Sequence, residues 1–169
     1  GNIGAHCRLG VIYESDLCEG EYWDGLADRR ALHKVDTPFD ERAYLHFSFG
    51  AYHGHGECCW RLGDLAAAGR GCDASTARAF SLYRRAFDLE SGRIDEDRAS
   101  TGNAALRLAR AFELGRGCAQ DFRRARTWYR LAAISLGAAF DGGQWHFKRE
   151  RLEARRGVAR MAQEIAGTY

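Results

Sequence analysis

Apolar residues recur along this chain at helical spacing and in the same order. Aligning Leu9, Leu62 and Leu108 puts Gly10, Gly63 and Ala109 one step later, and Tyr13, Ala66 and Phe112 four residues after each leucine. Leucine and its i+4 partner share one face of a helix, and the small residue between them suits a close helix crossing. Two of these runs end in Gly69-Arg70-Gly71 and Gly115-Arg116-Gly117, where glycine supplies the left-handed conformation that stops a helix. Ser75 and Asp121 follow at the places where the next helix should begin, each able to accept from free backbone N–H groups. Beyond them Ala79, Tyr83 and Ala86 form an i, i+4, i+7 stripe, repeated by Ala125, Tyr129 and Ala132 and more loosely by Ala43, Phe47 and Gly50. The unit is therefore a helical hairpin whose apolar faces cannot be buried alone, so neighbouring hairpins must stack.

Composition agrees with an all-α protein. The 169 residues are 46% hydrophobic and 28% charged, with a single proline, Pro38, and no run of β-branched residues alternating with period two. A net charge of +2 is too small to imply nucleic acid without a clustered basic face. No apolar stretch approaches the roughly 18 to 20 residues that cross a bilayer, so no membrane partner is expected. The chain opens without methionine and straight into a repeat at about Ile3, as an excised or trimmed segment would.

The order Ala, Leu-Gly, aromatic, Gly-x-Gly, Asp, Ala, Trp-Tyr, Ala-Ala resembles the Sel1-like repeat, a relative of the tetratricopeptide repeat. The copy from Ala104 to Ala133 carries Ala104, Leu108, Phe112, Gly115, Gly117, Asp121, Ala125, Trp128, Tyr129, Ala132 and Ala133 in register. The copy from Cys58 to Phe87 differs at Ala66 and Leu82, and the first copy lacks both turn glycines. The resemblance implies a right-handed α-solenoid of antiparallel hairpins acting as an adaptor, and it carries over no catalytic residue. The expected division is a degenerate repeat over 3–54 interrupted by an insertion at 15–37, repeats over 55–90 and 101–137, and a C-terminal capping helix over 144–166. For that helix the expected buried side is Trp145, Leu152, Ala159, Ala162 and Ile165, opposite a surface rich in arginine.

The cysteine-rich branch of the same family staples each hairpin internally, but no second-helix stripe here contains a cysteine. Cys58 stands at the opening alanine, and Cys72 and Cys118 follow the glycine turns, so the six cysteines read as reduced, apolar fillers in a cytoplasmic protein. His53, His55, Cys58 and Cys59 form the densest set of metal-ligating side chains, but their spacing matches no standard zinc module. No metal and no cofactor are assigned. The chain has no nucleophile elbow, phosphate loop or HExxH helix, so no catalytic residue is expected. A metal-assisted hydrolase using His53 and His55 is the enzymatic alternative, and an extracytoplasmic binder the other.

Binding is expected on the face formed by the first helices of the hairpins. Arg8, Arg61 and Arg107 precede the aligned leucines and so recur as a ladder there, helped by Arg110 and Glu113, and guanidinium groups suit the carboxylates of an acidic peptide or chain terminus. Bonding of these arginines to Asp64 and Glu113 is the structural alternative. Tyr22 and Trp23, in the first insertion, are the other candidate contacts for a protein or peptide partner.

Overall fold

The computed structural model describes residues 2–14, 39–91 and 98–167. All regular structure among them is helical: α1 (Ile3–Glu14), α2 (Phe39–Tyr52), α3 (Gly56–Ala68), α4 (Thr76–Glu90), α5 (Arg98–Leu114), α6 (Phe122–Asp141) and α7 (Lys148–Gly167), with a short 3-10 turn at Trp145–Phe147. Tyr22, Trp23 and Cys18 lie outside the described residues. Three hairpins, α1/α2, α3/α4 and α5/α6, stack in chain order, and α7 lies against α6. No described helix is long and apolar enough to cross a membrane.

Local signals start and stop the helices as read. Ser75 accepts from the Arg78 N–H and Asp121 from the Arg124 N–H, each satisfying one of the free donors of a first turn. Gly69 and Gly115 end α3 and α5 at φ 70° and 65°. After each turn the cap residue bonds back to the first helix, Ser75 N–H to the Ala66 carbonyl at 2.7 Å and Asp121 N–H to the Phe112 carbonyl at 2.9 Å.

Within each hairpin the small residue admits an aromatic ring. A Cβ on Gly10 would lie 2.4 Å from the Phe47 ring, and one on Gly63 would lie 2.5 Å from Tyr83. The second-helix stripes are buried throughout, with Ala43, Phe47, Ala86, Ala125, Tyr129 and Ala132 fully enclosed. Phe80, Phe87 and Trp128 touch both halves of the core, Phe80 edge-on to Phe112 and Phe87 edge-on to Trp128.

The second glycine of each turn has a role beyond helix termination. At Gly71 a Cβ would lie 2.3 Å from the Asp40 carbonyl oxygen, and at Gly117 it would lie 2.2 Å from that of Thr76. Each turn thus presses its bare backbone onto the start of the second helix of the preceding repeat.

The C-terminal helix buries a different face from the one expected. Ala154, Gly157 and Met161 are enclosed, whereas Trp145 and Leu152 are exposed and Ala162 and Ile165 only half-buried. The reason is the closeness of the crossing: a Cβ on Gly157 would sit 2.5 Å from the Tyr129 ring, so Gly157 must face the core there, and Ala154 and Met161, one turn to either side, are buried with it.

Candidate functional site

The arginine ladder exists, and most of its members hold the repeats to one another. Arg61 reaches back to Glu14 of the first repeat at 2.8 Å while also binding Glu57, one turn earlier on its own helix, at 2.8 Å. Arg107 grips Asp64 of the second repeat through both Nε and Nη2, and its Nη1 donates to the backbone carbonyl and side-chain oxygen of Asn103. One boundary further on, Arg160 of α7 closes on Glu113 of α5 at 2.6 Å. A carboxylate from one repeat therefore takes a guanidinium from the next at three successive boundaries. Second-helix tyrosines complete two of these rungs, Tyr83 donating to Asp64 and Tyr129 to Glu113. Trp60 lies beside both Arg61 and Arg107, whose guanidinium carbons are 4.5 and 4.0 Å from its ring centroid. Its indole N–H is satisfied by the Ser100 hydroxyl at 3.2 Å.

The acids of the rungs are perturbed in opposite directions. Arg160 holds Glu113 below the ordinary glutamate range, with help from the Tyr129 hydroxyl against the opposing effect of burial. At Glu14 burial wins over Arg61 and pushes the carboxyl up. A lowered folded-state pKa contributes stability that is complete above the unfolded value of about 4.3 and is lost as pH falls through the folded value. Acid should therefore weaken the boundary between α5 and α7, while relieving the cost of the Glu14 charge. Urea midpoints at descending pH are expected to fall less steeply for Glu113→Gln than for the parent protein. Identical slopes would show that Glu113 is not held in this way.

Arg8 is exposed on α1. Arg110 bridges to Glu153 of α7 with both partners substantially open to solvent. Beside Arg110 lies a crevice of about 440 Å³ between the second and third repeats, lined by Asp64, Tyr83, Arg107, Arg110, Leu114 and Arg116, among others. Leu114 is 53% exposed at its edge, and Arg116 projects from the glycine turn. Arg116 was not singled out in the sequence because its setting, between two glycines, is explained by helix termination. The turn places it over the crevice, a tertiary fact.

The four candidate metal ligands separate. His53 is exposed and packs on Phe49 and Tyr52. The Cys59 thiol donates to the Ala51 carbonyl, and its burial raises its pKa to about 11. His55 and Cys58 instead face Cys7 of the first repeat, the ligand atoms of all three lying within 4.8 Å of one another. The Cys58 thiol and burial push the Cys7 thiol far up, and the contact with Cys7 raises His55. No sequence signal linked Cys7 to this pair, since it lies on α1, in another repeat. The five described cysteines are unpaired.

A family profile described as Sel1 repeat matches residues 56–91 and 102–134, the second and third hairpins. Those two segments are Sel1 repeats. Among solved structures, it is similar to a Sel1 repeat protein from Oxalobacter formigenes, with 23% identity, a TM-score of 0.55, and coverage of 79% of this chain and 82% of that one. It is also similar to c5321, described as a protective antigen of uropathogenic Escherichia coli strains with an SLR fold. There the identity is 16% and the TM-score 0.56, with 96% of this chain aligned to 30% of that protein's length. At such identities the likeness speaks to the solenoid fold alone. Among curated proteins, none matches the sequence. Sel1 repeats generally serve as protein-interaction modules.

Proposed function

We propose that the chain is a non-catalytic interaction module of a reducing compartment such as the cytoplasm, and that it binds an acidic peptide segment of a partner protein in the crevice between the second and third Sel1 repeats. The observation that carries this reading is the surplus of positive charge there, with Arg107, Arg110 and Arg116 against the single carboxylate of Asp64 among the lining residues. Arg107 is committed to Asp64, which leaves Arg110 and Arg116 to meet a ligand. The Arg110–Glu153 pair is open enough to water that a ligand carboxylate can replace Glu153 at little cost, because exposed ion pairs contribute only about 0 to 1 kcal/mol. Leu114 supplies an apolar contact beside the charges, which allows a mixed acidic and apolar segment to be told from a merely acidic one.

The test is binding of an arrayed set of short peptides to the reduced protein, read by fluorescence anisotropy. Acidic peptides carrying an apolar residue are expected to bind, more weakly as salt rises, and their amidated Asn/Gln counterparts are not. The Arg110→Ala, Arg116→Ala double variant is expected to lose at least about tenfold in affinity, the equivalent of about 1.4 kcal/mol. Unchanged affinity in that variant, with its melting temperature retained, would overturn the assignment.

A further inference from the structure

Cys7, His55 and Cys58 are each a residue that local structure does not explain. Cys58 occupies the position where the repeat opens with alanine, in the first turn of α3, and is fully buried. His55 is the N-cap of α3, a place where Ser, Thr, Asp or Asn is the usual choice, and its bond to the Cys58 N–H is long at 3.5 Å. Cys7 is 3% exposed on α1 and comes from the neighbouring repeat. These departures converge on one point, where two sulfurs and an imidazole nitrogen meet within 4.8 Å.

We propose that these three side chains form a binding site for a thiophilic d10 cation, Zn²⁺ or Cu⁺, that pins the degenerate first repeat to the second. Thiolate and imidazole are the donors such cations select. With metal–sulfur bonds of about 2.3 Å and metal–nitrogen bonds of about 2.0 Å, the donors of a trigonal or tetrahedral site stand roughly 3.5 to 4 Å apart, so small side-chain rotations close the set. Space for the sulfur is built in: a Cβ on Gly50 would lie 2.3 Å from the Cys58 sulfur, and its absence lets that atom occupy the junction. Glu90, itself buried, is held by the N–H of Gly56, the residue that follows His55, at 2.9 Å. Half-buried His55 gives the ion its way in, while the two sulfurs are shielded. Cu⁺ is complete with these three donors. Zn²⁺ would take a fourth from solvent on the His55 side.

The test uses the reduced full chain under anaerobic conditions, titrated separately with Zn²⁺ and Cu⁺ against chromophoric chelators, with Co²⁺ as an optical probe. One equivalent is expected to bind and to raise the melting temperature, with Co²⁺ showing thiolate charge-transfer absorption. Whichever of Zn²⁺ and Cu⁺ binds more tightly identifies the ion. Cys58→Ala and His55→Ala are each expected to weaken binding at least tenfold and to abolish the rise in melting temperature, whereas Cys118→Ala should change neither. His55→Ala alters a half-exposed side chain and keeps the test informative should Cys58→Ala fail to fold. Failure of the reduced parent protein to bind a stoichiometric ion, or equal binding by the His55 and Cys58 variants, would overturn the site.

Discussion

Gly117→Ala is expected to destabilise the protein by about 2 to 5 kcal/mol and to split its unfolding into two transitions. Two costs combine. At φ 76° the residue is in left-handed backbone, which costs a residue with a Cβ about 1 to 2 kcal/mol. The new methyl group would then lie 2.2 Å from the Thr76 carbonyl oxygen and 3.0 Å from the Phe80 Cβ. Backbone at the first turn of α4 cannot swing aside as a side chain can, so the third repeat must lift off the second, and overpacking of this kind costs about 1 to 3 kcal/mol. Gly115→Ala supplies the internal control. It has the same left-handed backbone at φ 65°, but its nearest neighbour is at 3.4 Å, so only the conformational cost of about 1 to 2 kcal/mol applies. In a repeat array stability is approximately a sum over units and the interfaces between them, so loss of one interface should uncouple the two sides. Guanidinium unfolding of both variants checks this. If Gly117→Ala costs no more than Gly115→Ala, the second glycine serves only to end the helix.

That contrast also marks how far the sequence could be read. The hairpins were legible because what builds them is local: leucine and its i+4 partner, the glycine that stops a helix, and Ser75 or Asp121 starting the next. The stacking of hairpins followed from faces that one hairpin cannot bury. What joins the hairpins was largely hidden, because it depends on atoms from different repeats meeting in space. The second glycine looked like the first. Asp64 and Glu113 are acids the sequence does offer to the arginines, and Arg107 takes Asp64, but Glu14 is not among them and Glu113 goes to Arg160. The acids stand at unequal offsets from the aligned leucines, Glu14 and Glu113 five residues after and Asp64 two after, so alignment of the copies does not assign each to its arginine. On the C-terminal helix the stripe through Leu152, Ala159 and Ala162 is not the buried one, because the close crossing over Tyr129 requires Gly157 at the contact and sets the face from there. Of the candidate contacts, Arg110 stayed available at a crevice and Glu113 was drawn into a rung with Arg160. Cys7 was invisible as a partner of His55 and Cys58 for the same reason as Glu14, since each lies on α1 and meets its partners only across a repeat boundary.

Arg107→Ala is expected to cost about 2 to 4 kcal/mol, far more than Arg8→Ala, although both residues occupy the same place in their repeats. The Arg107 side chain is only 13% exposed, and its loss leaves Asp64 without its guanidinium, the Asn103 oxygens without their donor and the Trp60 ring without a cation 4.0 Å from its centre. Breaking a fully buried ion pair costs about 3 to 5 kcal/mol, and the 31% exposure of Asp64 brings the expectation down, since water can partly solvate the abandoned carboxylate. Asp64→Ala removes the acceptor of the Tyr83 hydroxyl as well, so it should be harmful in its own right. The double variant should cost less than the sum of the two, with a coupling of about 1 to 2 kcal/mol. Arg8 is exposed, and its removal should stay within about 0.5 kcal/mol. Urea unfolding of the parent protein and the four variants measures all of these quantities. Equal stability of the Arg107 and Arg8 variants would mean that Arg107 is not part of the joint between repeats, and would return it to the set of arginines free to meet a partner. A large difference assigns Arg107 to architecture and leaves recognition at the crevice to Arg110 and Arg116, so one stability measurement separates the residues that hold the array together from those that face its ligand.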